Sequence, residues 1–250
     1  MQFDFHPRTP LRLIVVTVAA AALSGCIQGN GGTAGGTTGG GTGGTGGTTS
    51  ASFAAHQSLF SQYTDTTNLS NAPTSDMPPS GNAQYTGSVA FDTMIKSSDS
   101  SVVAREVMGD VDMTVQFANS GQSPITGTVD NIRGKDATGA DFTWSAQLST
   151  ANAAGSGTLT TTESTINAPV VGPVTTRTGA FMVNFTGDID STNAPQLGTT
   201  GTALVSIGGA MFGSGATHSA GPANLVIDDD QQPGISDFAG TGGTYVVEKR

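Results

Sequence analysis

The sequence predicts an all-β protein: an eight-stranded antiparallel up-and-down β-barrel, preceded by a disordered Gly/Thr-rich tether and a cleaved signal peptide. Three observations lead there. Beyond Gly81 the chain breaks into short runs that alternate apolar and polar residues and are bounded by Gly, Asn, Asp or Pro, the pattern of antiparallel strands joined by turns. No helical periodicity after Gly81 supplies a layer to cover such a sheet, so the sheet must close on itself or pack on another, and closure also removes its edges. The 36 glycines, with aromatic residues at only 6%, fit many turns around a modest core.

The first element is a leader. Residues 1–25 have a basic start with Arg8 and Arg12, an apolar run from Leu11 to Leu23, and small residues before a cleavage point. The run is too short and too alanine-rich at its end to make a good membrane span. The cleavage region Leu23-Ser24-Gly25-Cys26 resembles the bacterial lipobox, in which a thiol receives diacylglycerol and becomes the new N-terminus. Cys26 is the only cysteine in the chain, so lipidation takes its single thiol and no disulfide forms within a monomer. Two or three acyl chains, at about 0.8 kcal/mol per buried methylene, anchor durably where one binds reversibly. Residue 27 is Ile rather than the Asp that resembles an inner-membrane retention signal, which implies the outer membrane, with the domain on the cell surface or the periplasmic face.

Residues 26–50 form the lipidated start and the tether. From Gly29 to Ser50 the chain is almost wholly Gly and Thr, with too little apolar surface to offset its ordering entropy. As a flexible spacer it spans roughly 25 Å on average and roughly 75 Å when taut. Residues 51–80 follow as a linker. Within Ala51 to Tyr63, Phe53, Gln57, Phe60 and Tyr63 recur near the helical period and predict a short amphipathic turn or two, after which Pro73, Pro78 and Pro79 make the chain irregular. His56 lies on this segment without partners in sequence and reads as a surface or packing residue.

Residues 81–250 are read as one β-barrel domain. The expected strands are Gln84 to Phe91, Val111 to Ala118, Ile125 to Ile132, Phe142 to Leu148, Gly157 to Thr162, Ala180 to Gly187, Ala203 to Phe212, Thr217 to Ile227 and Thr244 to Glu248. Val111, Met113, Val115 and Phe117 fall at every second position with Asp112, Thr114 and Gln116 between them, so one face is buried and the other wet; Phe181, Val183 and Phe185 repeat the pattern. Gly127, Gly187, Gly208 and Gly209 fall inside strands, where glycine belongs only at a bend, bulge or close approach.

Two stretches resemble the β-barrel domain of transferrin-binding-protein-B-like surface lipoproteins, a group that includes factor-H-binding-protein-like barrels. The first is Gly109 to Val129, GDVDMTVQFANSGQSPITGTV, an alternating strand ending on Phe117, a turn, and a strand opening on Thr-Gly-Thr around Gly127. The second is Gly209 to Gly221, GAMFGSGATHSAG, in which Phe212 stands where the family has Tyr, Gly213 and Ala216 match, His218 replaces Glu, and Ala220 with Gly221 stands for a double Gly. The resemblance implies a barrel whose rim loops recognise a protein or small solute, and it gives these motif residues packing and turning roles. Replacement of Glu by His218 weakens any inference about contacts at that position.

Charge and side-chain inventory narrow the function. A formal net charge of -10, more negative once the leader is removed, offers no basic stripe for phosphates, so no nucleic-acid partner is expected. With Cys26 acylated, the mature chain has only His56 and His218 as imidazole bases, and Ser156 and Ser214, each between glycines, lack the spacing of a nucleophile elbow and read as turns. Asp228, Asp229 and Asp230 form one acidic loop and Asp188 with Asp190 another, but neither has the alternating ligands of a calcium loop, so solvated acidic loops are expected and no metal or cofactor. The leading expectation is a monomeric, non-enzymatic binding module anchored to the membrane by lipid. The second is a structural envelope lipoprotein without soluble ligand, and a hydrolase using His218 is a distant third.

Overall fold

The alternation read in the sequence becomes burial in the computed structural model, which describes residues 52–118, 124–153, 157–169, 171–190, 192–198, 200–228 and 236–250. The leader, Cys26, the tether, Ser156, Asp229 and Asp230 lie outside the described residues. A helix α1 (Phe53–Thr64) precedes strands β1 (Asn82–Lys96), β2 (Val102–Gln116), β3 (Ile125–Asp136), β4 (Asp141–Trp144), β5 (Leu148–Ser149), β6 (Gly157–Ala168), β7 (Gly172–Ile189), β8 (Gly201–Phe212), β9 (His218–Asp228), β10 (Phe238–Thr241) and β11 (Thr244–Lys249). Ser52 caps α1, accepting from the Ala55 amide at 3.2 Å.

All named strand pairs are antiparallel, and the pairings close a ring: β1 to β2, then β3, β5, β7, β8, β9 and β11, and back to β1. The described strands number eleven where nine runs were expected, for two physical reasons. The run foreseen as Phe142 to Leu148 breaks between Trp144 and Leu148, so β4 pairs with the second half of β3 while β5 pairs with its first half and with β7. The last stave is divided at Gly242 and Gly243, so β10 and β11 share one place between β1 and β9. Strand β10, only four residues and containing Gly240, carries too little alternation to announce itself.

Strand β6 pairs with β7 alone, from Gly157 opposite Val183 to Ala168 opposite Gly172. Thr158 and residues 160–167 are exposed, as are much of β7 before Phe181 and the apolar side chains Ile166, Val171, Val174 and Met182. The β6–β7 hairpin therefore continues as a solvated ribbon beyond the part of β7 that serves the ring.

Val111, Met113 and Val115 on β2 and Phe181, Val183 and Phe185 on β7 are all buried, with Asp112, Gln116 and Met182 on the opposite face. Tyr85, Phe91, Trp144, Leu148, Ile189 and Tyr245 join them in one core. At this core a cavity bounded in part by Phe91, Trp144, Leu148 and Leu225 amounts to about 10 Å³, room for at most one water, so side chains fill this space.

Two glycines make the close strand approach possible. A Cβ on Gly127 would lie 2.3 Å from the Asp112 carbonyl oxygen and 2.8 Å from the Met113 Cα; one on Gly208 would lie 2.7 Å from the Phe181 carbonyl oxygen. Only hydrogen fits at either place.

The segment foreseen as a linker is docked. His56, 1% exposed, reaches from α1 to Ser88 on β1 and Thr244 on β11, and Met77 is buried. Between them, the Thr74 amide donates to the Met211 carbonyl at 2.9 Å, the Arg177 amide to the Ser75 carbonyl at 2.8 Å, and the Met77 amide to the Arg177 carbonyl at 3.0 Å. Residues 72–77 thus run across the end of β8 and along the edge of β7 that β8 has vacated. Irregular backbone was foreseen here; its attachment was not.

Candidate functional site

The turn joining β8 to β9 is built from the glycine-rich stretch GSGATH. Gly213 (φ +72°), Gly215 (φ +65°) and Ala216 (φ +60°) all take left-handed backbone, and Ala216 does so with a Cβ. The Ala216 conformation is held from both sides: its amide donates to the Gly213 carbonyl at 3.2 Å, and its carbonyl accepts from the buried Tyr85 hydroxyl at 2.6 Å. Burial pushes the Tyr85 phenol far above the usual range, so it remains a donor.

Asp76 clamps the same turn from the approach segment. Its Oδ2 accepts from the Ser214 hydroxyl at 2.6 Å, and its Oδ1 from the Gly215 amide at 2.8 Å and the Thr74 hydroxyl at 2.9 Å. Those hydrogen bonds, the one from Ser214 foremost, hold the carboxyl below its ordinary range. The Gly213 amide donates to the Ala72 carbonyl at 3.3 Å.

His218 begins β9 in an aromatic stack. The Tyr63 ring lies against it at 4.1 Å between centroids, and Phe212 lies at 5.8 Å, both near parallel. The Tyr63 hydroxyl donates to Glu248 Oε1, and burial together with that carboxylate pushes the phenol up to about 12. His218 is only 6% exposed, and burial lowers its pKa against the opposing pull of Glu248, so the ring is held toward its neutral form. Its Nδ1 lies 3.2 Å from the Thr217 hydroxyl, which itself donates to the Phe212 carbonyl at 3.4 Å. Its Nε2 is buried with no hydrogen-bond partner among the described residues.

Between α1, residues 68–76 and this turn lies an open cleft of about 720 Å³. Gln62, Tyr63, Ser70, Ser75, Asp76, Ser214 and His218 line it, and no Lys or Arg does. Pocket size suits a ligand rather than trapped water.

The other motif residues lie elsewhere or beneath the surface. Phe117 and Gly127 belong to the β2–β3 side, where Phe117 is buried. Gly221 makes space for Tyr245: a Cβ there would lie 3.0 Å from Tyr245 Cε1, and one on Gly209 would lie 2.9 Å from the Tyr245 hydroxyl. That hydroxyl meets Ser219 Oγ at 2.8 Å, and Ser219 donates to the Ala210 carbonyl at 2.7 Å. His56 bonds Ser88 at 2.8 Å and Thr244 at 2.9 Å, away from the cleft, and burial lowers its pKa to about 4.

The acidic groups do not converge among the described residues. Asp190 accepts from the Thr192 and Asn193 amides, capping its own loop, and Asp188 accepts from Thr202 at 3.3 Å. No set of three His, Cys, Asp or Glu side chains among the described residues is arranged to hold a metal ion. Ser214, read as a turn residue, spends its hydroxyl as a donor to Asp76 at 2.6 Å.

Sequence reasoning passed over Asp76, Tyr85 and Glu248, and gave Tyr63 only a place in a helical pattern. Asp76 is 138 residues from Ser214, Tyr85 is 131 from Ala216 and Tyr63 is 185 from Glu248, so no local spacing marks them. No family model matches the chain, and no curated protein matches it.

Proposed function

We propose that the protein is an outer-membrane lipoprotein, anchored through lipid on Cys26, whose ring of strands is an eight-position up-and-down β-barrel acting as a non-enzymatic binding module. In this reading β4 with β5, and β10 with β11, are broken staves, and β6 extends beyond the wall. The observation that carries the binding function is the polar cleft at the β8–β9 end, walled by the docked segment of residues 68–76. A filled core favours recognition at the rim over a ligand held inside. The likeness of the GSGATH turn to transferrin-binding-protein-B-like barrels supports the same assignment, with the wider role of protein or solute recognition.

The test has two arms. Metabolic labelling with a palmitate analogue should mark the native chain and not the Cys26→Ser variant, and only the native chain should sediment with membranes. The unlipidated chain, immobilised, should retain a component of envelope or medium fractions, and Ser75→Trp, which fills the cleft from an exposed position, should abolish that retention. Labelling without any retained component would favour the alternative, a structural envelope lipoprotein without soluble ligand.

A further inference from the structure

We infer that the cleft between α1, residues 68–76 and the β8–β9 turn binds a neutral saccharide. This rests on the cleft being the binding site and adds the class of ligand. The starting point is which of its polar groups the protein has already used. Asp76, the one carboxylate in the lining, has both oxygens engaged by Ser214, Gly215 and Thr74, so it braces the turn and is not left over to ligate a cation.

The groups left over are uncharged. The Gln62 amide and the Ser70 and Ser75 hydroxyls line the cleft, are exposed, and bond nothing else among the described residues. An amide supplies two donors and an acceptor, and a hydroxyl supplies one donor and two acceptor sites, the complement that vicinal sugar hydroxyls need. Tyr63, half-buried and stacked on His218, lines the same cleft and adds aromatic surface of the kind that takes the C–H face of a pyranose.

Charge removes the main competitors. Without Lys or Arg in the lining, and with a net charge of -10 over the chain, a phosphate, sulfate or carboxylate would enter against the field. With both Asp76 oxygens already taking Ser214, Gly215 and Thr74, a cationic ligand would have to compete with the donors that hold the turn. An apolar ligand would leave the Gln62 amide and the Ser70 and Ser75 hydroxyls dehydrated and unpaired.

The experiment is an array of neutral glycans probed with the unlipidated full chain, followed by titration calorimetry with the strongest binder and with inorganic phosphate and a heparin tetrasaccharide as charged comparators. At least one neutral glycan should bind with Kd below about 1 mM, and its affinity should change less than about two-fold between 50 mM and 500 mM salt, since no ion pair forms. Gln62→Ala and Ser70→Trp should each weaken it at least about ten-fold while the emission of buried Trp144 and the thermal midpoint stay in place.

Absence of binding by every neutral glycan overturns the inference, as does preferential binding of phosphate or heparin, or glycan binding that both substitutions leave intact. If glycans fail while Ser75→Trp still abolishes capture of an envelope component, only the ligand class falls. If that capture also fails, the binding-module reading falls with it.

Discussion

His56 offers a direct measure of how firmly α1 is joined to the sheet. The imidazole is 1% exposed and held between Ser88 and Thr244 at 2.8 and 2.9 Å, and burial lowers its pKa from 6.5 to about 4. The unfolded chain therefore takes up a proton on His56 before the folded chain does. Its contribution is complete above pH 6.5 and is lost progressively as pH falls toward 4. At about 1.4 kcal/mol per pKa unit, that interval corresponds to a loss of up to about 3 kcal/mol. Urea unfolding of the unlipidated chain, followed through Trp144, the sole tryptophan, reads it directly. His56→Gln keeps a donor and an acceptor in place without titrating, so the difference between the two proteins cancels the carboxylates and the same-signed contribution of His218. That difference should change by about 2–3 kcal/mol between pH 7 and pH 4. Parallel pH profiles for the two proteins would refute the buried, neutral strut.

Further tests address the sheet, the turn and the ribbon. Gly127→Ala and Gly208→Ala should each cost about 3 kcal/mol in urea unfolding, because the new Cβ meets a neighbouring carbonyl oxygen at 2.3 and 2.7 Å; Gly139→Ala, with φ +92° and nothing within 4 Å, should cost only about 1 kcal/mol. Equal effects at all three positions would deny the close approach. Asp76→Ala should raise amide exchange at Gly215 at least about ten-fold, and unchanged protection would mean that the turn holds itself. Replacing residues 165–175 by Asn-Gly, which joins the facing pair Ser164 and Thr176, should move the thermal midpoint by less than about 2 °C, whereas a fall of more than about 5 °C would show that the ribbon supports the ring.

The β-rich architecture was legible because period-two alternation is local. Val111, Met113 and Val115, or Phe181, Val183 and Phe185, declare a buried face without reference to any partner strand. What alternation cannot express is where a buried stave breaks. Phe142 to Leu148 read as one run, yet β4 and β5 meet different parts of β3, and Phe238–Thr241 was too short and glycine-containing to separate from its turns. Strand ends also moved: β6 runs to Ala168 through residues so polar that the pattern gave no reason to extend it past Thr162. Its threonines instead satisfy the ladder with a β-branched backbone preference, as in the Thr165–Thr175 hydroxyl pair at 2.9 Å.

The candidate site was half legible, and the division is physical. Its glycine-rich turn was visible because left-handed backbone selects Gly213 and Gly215 locally, and the turn drew attention before its surroundings were known. Ala216 broke that rule: an alanine at φ +60° is strained on its own, and the hydrogen bond that compensates comes from Tyr85 in another strand. His218 was visible as one of the few imidazoles, set at the end of the glycine-rich stretch. Its setting was not, since the stack against Tyr63 and the nearby Glu248 arise only when α1 and β11 arrive from opposite ends of the chain. The cleft follows from the same convergence. Residues 68–76, read as linker because their prolines and polar residues forbid regular structure, become its wall because an irregular segment leaves amides and hydroxyls outside any ladder. Gln62, Ser70 and Ser75 are available to a ligand for the reason that made them look like connection.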